Sequence, residues 1–290
     1  MLWLLLGIFG VLIGSFLNVL ILRFAEGRPI LFTPRITGRS QCMTCQVSLR
    51  WYELVPLFSF LAQGAKCRHC RHSLNWQYPI VELITAGLTI VVPYFFLHFY
   101  GTNQLLIQGL MPWWHFVAIG IWLLISYTMI VLSAIDLRLR IIPDQCNLLL
   151  AVLGLALLVM RTSGAIGAGS FAGPYASILG DPGTPWVSAL YGVLFALLLF
   201  GGTIFFTRGR GMGLGDLKLA LPIGIILGWP DSCIAAMAAF VLGSIIGILL
   251  IVGKRATMKA AVPFGPFIVL GFYVSIFYSE DLLRWYFSLL

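Results

Sequence analysis

The sequence predicts an all-α polytopic membrane protein with about eight transmembrane helices and one small polar insert. Of the 290 residues, 60% are hydrophobic and only 10% are charged, whereas a soluble domain has about 25% charged residues. Apolar runs long enough to cross a bilayer, roughly 17–25 residues, recur along the chain. Basic residues are concentrated in alternate connections between these runs, the asymmetry that sets the orientation of multi-pass proteins.

Eight apolar runs account for most of the chain. The predicted spans lie near residues 2–22, 79–100, 114–135, 145–160, 186–206, 217–228, 232–252 and 262–279, and the sixth is short. The first run has no basic segment before it and no small-residue cleavage site after it, which favours a retained span over a signal peptide.

The connections between the spans predict the domain organisation. A polar insert separates the first two spans, so we expect a first helix (1–23), a zinc-binding insert (24–78) and a seven-helix membrane domain (79–290). The Gly-rich stretch 161–185 predicts a flexible external loop.

The distribution of lysine and arginine predicts the orientation. With the N-terminus on the periplasmic side, 16 of the 18 basic residues face the cytoplasm, and only Arg161 and Arg284 remain outside. This asymmetry accounts for the net charge of +8, so we expect a lipid bilayer rather than nucleic acid as the partner. The basic residues assigned to the cytoplasmic side are Arg23, Arg28, Arg35, Arg39, Arg50, Lys66, Arg68, Arg71, Arg138, Arg140, Arg208, Arg210, Lys218, Lys254, Arg255 and Lys259.

Two carboxylates lie where predicted spans meet the cytoplasm. Asp136 ends the third span in "SAIDLRLRIIPD", and Asp216 opens the sixth in "GMGLGDLKL". An ionised group at bilayer depth costs at least ~2.5–3.5 kcal/mol, so each acid needs a reason to be there. Two carboxylates that share a site cannot both ionise easily, so one acts as an acid while the other activates water. The pair therefore predicts metal-free hydrolysis of a peptide bond.

The residues around Asp216 suit an extended substrate. Gly211, Gly213 and Gly215 leave the backbone bare, so a locally unwound peptide can approach closely. The structural alternative for Asp216 is a helix N-cap or first-turn acid.

Other residues near the acids have structural interpretations too. Asp136 pairs with Arg138 or Arg140 in the alternative to a catalytic role. Asp144 follows Pro143 and is predicted as the N-cap of the fourth span, and Lys218 is predicted as a lipid-headgroup anchor.

Four of the six cysteines form two CxxC pairs in the insert. Cys42 and Cys45 are separated by 21 residues from Cys67 and Cys70, a pattern that predicts a tetrahedral zinc site with four cysteine ligands. Four thiolates leave no open position for water, so the zinc is expected to be structural, and an insert of this size needs such a staple. A redox CxxC pair is the alternative, but it leaves the second pair unexplained.

Five stretches of the chain resemble the bacterial prepilin leader peptidases, the GxGD aspartic membrane proteases of type IV pili and type II secretion. The resemblance runs from end to end, and Met43 departs from the proline that is frequent in the family. The stretches are "GIFGVLIGSFLNVLILR", "RSQCMTCQVSLRWYELVPLFSFLAQGAKCRHC", "YPIVEL", "AIDLRLRIIPD" and "GMGLGDLKL".

The resemblance implies an activity and its residues. Asp136 and Asp216 are the implied catalytic pair, which removes a leader from prepilins or pseudopilins at the cytoplasmic face of the inner membrane, just before a hydrophobic N-terminal helix. Many members also methylate the new N-terminal amine with S-adenosylmethionine. Glu82, at the head of the second span, is a candidate for binding the substrate amine or the methyl donor, and a structural acid near a helix N-terminus is its alternative.

Three other functions remain as alternatives. An ion-coupled transporter also carries intramembrane carboxylates, but predicts acids at mid-membrane and repeated halves, and no internal repeat is expected from this sequence. A thiol oxidoreductase predicts cysteines on the oxidising side. A GxGD protease of ordinary transmembrane segments lacks a reason for the cysteine insert.

Overall fold

The protein is an all-helical membrane protein, as predicted. The computed structural model describes residues 1–24, 40–42, 44–102, 105–106, 108–167, 169–209, 211–254 and 262–289. Within these ranges the only β-pairings are two isolated bridges in the insert. The chain forms two compact units, residues 1–99 and 100–290. The predicted functional division at residues 23 and 78 stays a prediction.

The first unit consists of two long helices and the insert between them. Helix α1 is Leu2–Arg23 and α3 is Gln77–Phe99. The insert contains a 3-10 turn, Trp51–Glu53, and a short helix α2, Phe58–Ala62. These bounds place the cysteine knuckles and α2 between the two membrane helices in sequence.

Helices α1 and α3 pack through glycines. A Cβ at Gly10 would lie 2.7 Å from Ala86 Cα, and a Cβ at Gly14 would lie 2.7 Å from Glu82 Cα. The two glycines form a GxxxG pattern, whose small residues let membrane helices approach backbone to backbone.

The second unit is a bundle of helices of different lengths. In order it contains α4 (Trp113–Leu139), α5 (Asp144–Thr162), α6 (Tyr175–Ile178), α7 (Pro185–Ala196), α8 (Gly202–Thr207), α9 (Leu214–Leu227), α10 (Asp231–Val252) and α11 (Gly265–Ser288). A π-helical turn, Leu197–Gly201, joins α7 to α8.

Seven helices in the described ranges are long and apolar enough to cross a membrane, and they correspond to seven of the eight predicted spans. The predicted sixth span is α9, which has 14 residues. At about 1.5 Å per residue it is about 21 Å long, shorter than the ~30 Å hydrocarbon core. Helix α9 is therefore held by protein contacts on its buried face.

Close backbone contacts fix α9. A Cβ at Gly224 would lie 2.7 Å from the Gly192 carbonyl of α7, and a Cβ at Gly154 of α5 would lie 2.8 Å from Ile226. Ser188 Oγ donates to the Trp229 carbonyl at 2.8 Å, just past the end of α9. Helices α5 and α7 thus hold the C-terminal half of α9, the helix whose first turn contains Asp216.

The described part of the Gly-rich loop 161–185 is held by hydrogen bonds, contrary to the predicted flexibility. Asp231 is fully buried, and its Oδ2 accepts hydrogen bonds from Ser170 Oγ at 2.8 Å and from the Phe171 N–H at 3.0 Å. Arg161, assigned to the outside, is buried and donates to the Ile226 carbonyl at 3.0 Å. Glycine content indicated a loop, but not the buried acid that anchors it.

Several residues of the orientation argument lie outside the described residues. They are Arg28, Arg35, Arg39, Arg210, Arg255 and Lys259, as is Met43 in the first CxxC pair. The orientation itself stays a prediction.

We expect Gly14→Ala to destabilise the first unit. The added Cβ collides with the backbone of α3, and overpacking of this kind costs about 1–3 kcal/mol. The measurement is thermal unfolding in detergent, followed by size-exclusion chromatography. Gly87→Ala is the matched control, since a Cβ at Gly87 of α3 meets nothing within 4 Å. Equal melting temperatures for the two variants would contradict the packing.

Candidate active site and metal centre

Asp136 lies in the last turn of α4 and is buried. Its Oδ2 accepts a hydrogen bond of 3.0 Å from the N–H of Gly265, the first residue of α11. A Cβ at position 265 would lie 2.6 Å from that oxygen. Only glycine therefore lets the start of α11 approach this carboxylate. Gly265 was not predicted, because its only signal is the short "PFGP" sequence at the start of the predicted eighth span.

Asp216 occupies the third position of α9 and is half-buried. Its Oδ2 accepts a hydrogen bond of 3.2 Å from the N–H of Gly213, the residue before the helix. This is the carboxylate half of a capping box, so the first-turn interpretation of Asp216 describes its local contact. Gly215 packs on the turn between α4 and α5, since a Cβ at Gly215 would lie 3.3 Å from Ile142 Cβ.

The structure brings the two carboxylates into electrostatic range. Burial, foremost, raises the pKa of Asp216 to about 6. The hydrogen bond from the Gly213 N–H lowers this pKa, and the charge of Asp136 raises it. The residues are 80 positions apart, but the turn after α4 and the start of α9 meet at Ile142 and Gly215. Such a pair holds one proton at a higher pH than an isolated carboxyl group does, and general acid–base chemistry needs one protonated and one ionised partner.

Asp144 and Lys218 form an ion pair beside the two acids. Lys218 Nζ lies 2.7 Å from Asp144 Oδ1, and the side chains are 53% and 72% exposed. Asp144 is the first residue of α5, after Pro143 as N-cap, and its carboxylate binds Lys218 rather than capping its own helix. The pair joins the first turns of α5 and α9.

The four insert cysteines converge. Their Sγ atoms all lie within 4.8 Å of one another, and Cys42 Sγ is 3.8 Å from Cys70 Sγ. A tetrahedral zinc site with Zn–S bonds of about 2.3 Å separates its sulfurs by about 3.8 Å. The backbone N–H of Cys45 foremost lowers the pKa of the Cys42 thiol to about 6, which favours the metal-binding thiolate. The cysteine geometry and chemistry fit zinc.

The two CxxC pairs form matching knuckles. The Cys42 N–H donates to the Val47 carbonyl at 3.0 Å, and the Cys67 N–H donates to the His72 carbonyl at 2.9 Å. Gln46 and Arg71, each directly after the second cysteine of its pair, both adopt a left-handed conformation. His69 and His72 are exposed and are not in the four-thiol cluster.

An internal repeat underlies these knuckles, so the expectation of no internal repeat was wrong for the insert. The sequences "CMTCQVSLRW" and "CRHCRHSLNW" share the pattern C-x-x-C-x-x-S-L-x-W at residues 42–51 and 67–76.

Glu82 is buried at the sixth position of α3, and its observed partner belongs to the insert. The Leu57 N–H donates to Glu82 Oε2 at 2.8 Å. The carboxylate thus holds the start of α2 against the membrane helix. This bond occupies one of its two carboxylate oxygens, and its predicted ligand role stays a prediction.

Comparisons with known proteins agree on one family. Residues 8–96 match the family described as the bacterial peptidase A24 N-terminal domain, and residues 123–248 match the type IV leader peptidase family. Similar curated proteins are named prepilin leader peptidase/N-methyltransferase. That of Aeromonas salmonicida is 29% identical over 97% of this chain and 92% of its own length. The Pseudomonas aeruginosa protein is 28% identical over 96% of this chain and 90% of its own length. The Legionella pneumophila protein is 27% identical over 98% of this chain and 94% of its own length. No solved structure matches the chain significantly.

Proposed function

The chain belongs to the type IV leader peptidase family, and on that premise we propose that it is a membrane aspartic endopeptidase for prepilins or pseudopilins. The observation that carries the proposal is the meeting of Asp136 and Asp216. Each is at least half-buried, each accepts a glycine N–H, and the charge of one acts on the other.

The pair hydrolyses the leader bond by sharing one proton. The protonated carboxyl donates a hydrogen bond to the scissile carbonyl, while the ionised carboxylate takes a proton from a water molecule. The resulting hydroxide attacks the carbonyl carbon, and the amine leaves with a proton from the pair. Because the charge of Asp136 acts on Asp216, we assign the acid and base roles to the pair rather than to one residue.

Substrate access is through the segment before α9. Gly211 and Gly213 are exposed, and their lack of side chains leaves room for an extended peptide. Seven membrane-spanning helices suit a substrate with a hydrophobic N-terminal helix that approaches from the bilayer. We assign the site to the cytoplasmic face of the inner membrane on the strength of the basic residues alone.

A second activity, N-methylation of the new N-terminus, is supported by the names of the relatives. S-adenosylmethionine supplies the methyl group in such reactions. Glu82 has the charge to bind an amine or a sulfonium, but its Oε2 is bonded to the Leu57 N–H and its side chain is 5% exposed.

The four-cysteine centre is proposed to hold a structural zinc ion. Cys42 and Cys67 are buried, and four thiolates complete a tetrahedral shell. Metal binding stabilises the knuckles, which have few other buried side chains.

Co-expression with a prepilin-type substrate tests the proposed function directly. Mass spectrometry of the product reports leader removal and N-methylation separately. An unchanged substrate in the presence of inserted, folded protein would contradict the peptidase assignment.

We expect Asp136→Asn or Asp216→Asn alone to abolish leader cleavage. Each change removes one carboxylate and nearly preserves its shape, so membrane insertion and thermal stability should remain. Asp281→Asn, a change at an exposed acid of α11, is the control and should cleave normally. Normal cleavage by either single variant of the pair would end the assignment.

We expect Cys67→Ser to release the metal. Elemental analysis of purified protein should give one zinc per wild-type chain and none in the variant. Cys233→Ser, outside the cluster, should keep the zinc. We expect the loss of zinc to affect thermal stability or N-methylation more than peptide-bond cleavage. A wild-type protein without zinc would refute the site.

The Asp144–Lys218 pair is expected to position the first turn of α9. Exposed pairs contribute about 0–1 kcal/mol to stability, so Asp144→Lys and Lys218→Asp should fold while their kcat for leader cleavage falls. The double swap restores the pair and should recover much of that kcat, with KM little changed throughout. If the double swap is as slow as the slower single variant, the pair has no positioning role.

A further inference from the structure

The insert carries several exposed apolar side chains. Five of them are large, and all belong to connected parts of the insert: the 3-10 turn, the segment into α2, α2 itself and the second knuckle. We call them the apolar ridge: Trp51, Leu54, Phe58, Leu61 and Trp76, which are 79%, 42%, 69%, 75% and 65% exposed. Phe60 lies between Phe58 and Leu61 in sequence and is buried, with its ring centroid 5.2 Å from that of Trp76. Helix α2 therefore buries Phe60 and leaves Phe58 and Leu61 exposed.

The ridge is fixed beside a membrane helix. The Leu57 N–H bond to Glu82 attaches the start of α2 to the sixth residue of α3, about 7.5 Å from the helix start at 1.5 Å per residue. The side chains of α3 at Ile80, Leu83 and Ile84 are apolar and exposed. The ridge therefore lies at a depth where α3 already presents an apolar surface.

The charges around the ridge are basic. In the described part of the insert the basic residues are Arg50, Lys66, Arg68 and Arg71, all outside the membrane helices. The acidic residue there, Glu53, is buried and accepts the Arg50 N–H at 2.8 Å. Exposed tryptophan and phenylalanine beside lysine and arginine suit the headgroup region of an anionic bilayer.

We propose that the segment from Leu54 to Leu61 is seated in the bilayer interface. Phe58 and Leu61 insert among the acyl chains, and the neighbouring basic side chains bind anionic lipid phosphates. The insert is then a peripheral membrane element whose zinc knuckles lie on the lipid surface, rather than a domain surrounded by water. This inference depends on the first unit alone and not on the proposed catalytic function.

Photo-crosslinking distinguishes lipid from other occupants. A benzophenone amino acid at position 61, in protein reconstituted into nanodiscs containing phosphatidylglycerol, should form chiefly lipid adducts detectable by mass spectrometry. The same group at position 69, an exposed site in the second knuckle, is the control and should give several-fold fewer. Replacing phosphatidylglycerol with phosphatidylcholine should lower the yield at 61. Adducts at 61 with another part of the chain or with a second protein would overturn the proposal, as would equal lipid yields at 61 and 69.

Hydroxyl-radical footprinting tests the unaltered chain. In the same nanodiscs, Phe58 and Leu61 should be oxidised several-fold more slowly than in a short-chain detergent held at its critical micelle concentration. The oxidation rate of His69 should change little between the two. Oxidation of Phe58 and Leu61 that is as fast in nanodiscs as in detergent would overturn the proposal.

Discussion

The candidate active site depends on two glycine N–H groups that hold two carboxylates. Gly265 donates to Asp136 and Gly213 donates to Asp216, so each acid is oriented by a backbone N–H. The two acids come from the end of one helix and the start of another. Their separation is therefore set by how α4, α9 and α11 pack. A carboxylate pair can share a proton only if that packing overcomes the cost of burying charge in a membrane.

Helix α9 explains why such packing is possible. Its 14 residues are too few to span the bilayer. Its first turn lies against Ile142 in the turn after α4, so Asp216 is half-buried although Lys218, two residues on, is exposed. Gly224 and Gly192 allow backbone contact with α7. This contact resists sliding of the short helix, which lacks the lipid anchoring of a full span.

The helical membrane fold and the clustering of the four cysteines were predicted from strong local signatures and are confirmed, whereas the catalytic role of Asp136 and Asp216 stays a prediction. The sequence did not predict Gly265 as a partner of Asp136, since a hydrogen bond between distant helices leaves no local pattern. Asp144 was predicted as a helix cap, but its carboxylate binds Lys218, 74 positions away. The buried Asp231 that anchors the Gly-rich loop was missed for the same reason. Loop composition describes backbone freedom and not tertiary bonds.

The cysteine insert and the membrane helices are mechanically connected through Glu82. Its carboxylate is buried in α3 and bonds to the backbone that enters α2, while the two knuckles close the insert on either side of that segment. Any movement of α2 must break this bond or carry α3 with it. The proposed metal at the knuckles would therefore also restrain the apolar ridge beside α3. This coupling gives a structural metal centre an influence on the membrane helices without a direct part in chemistry.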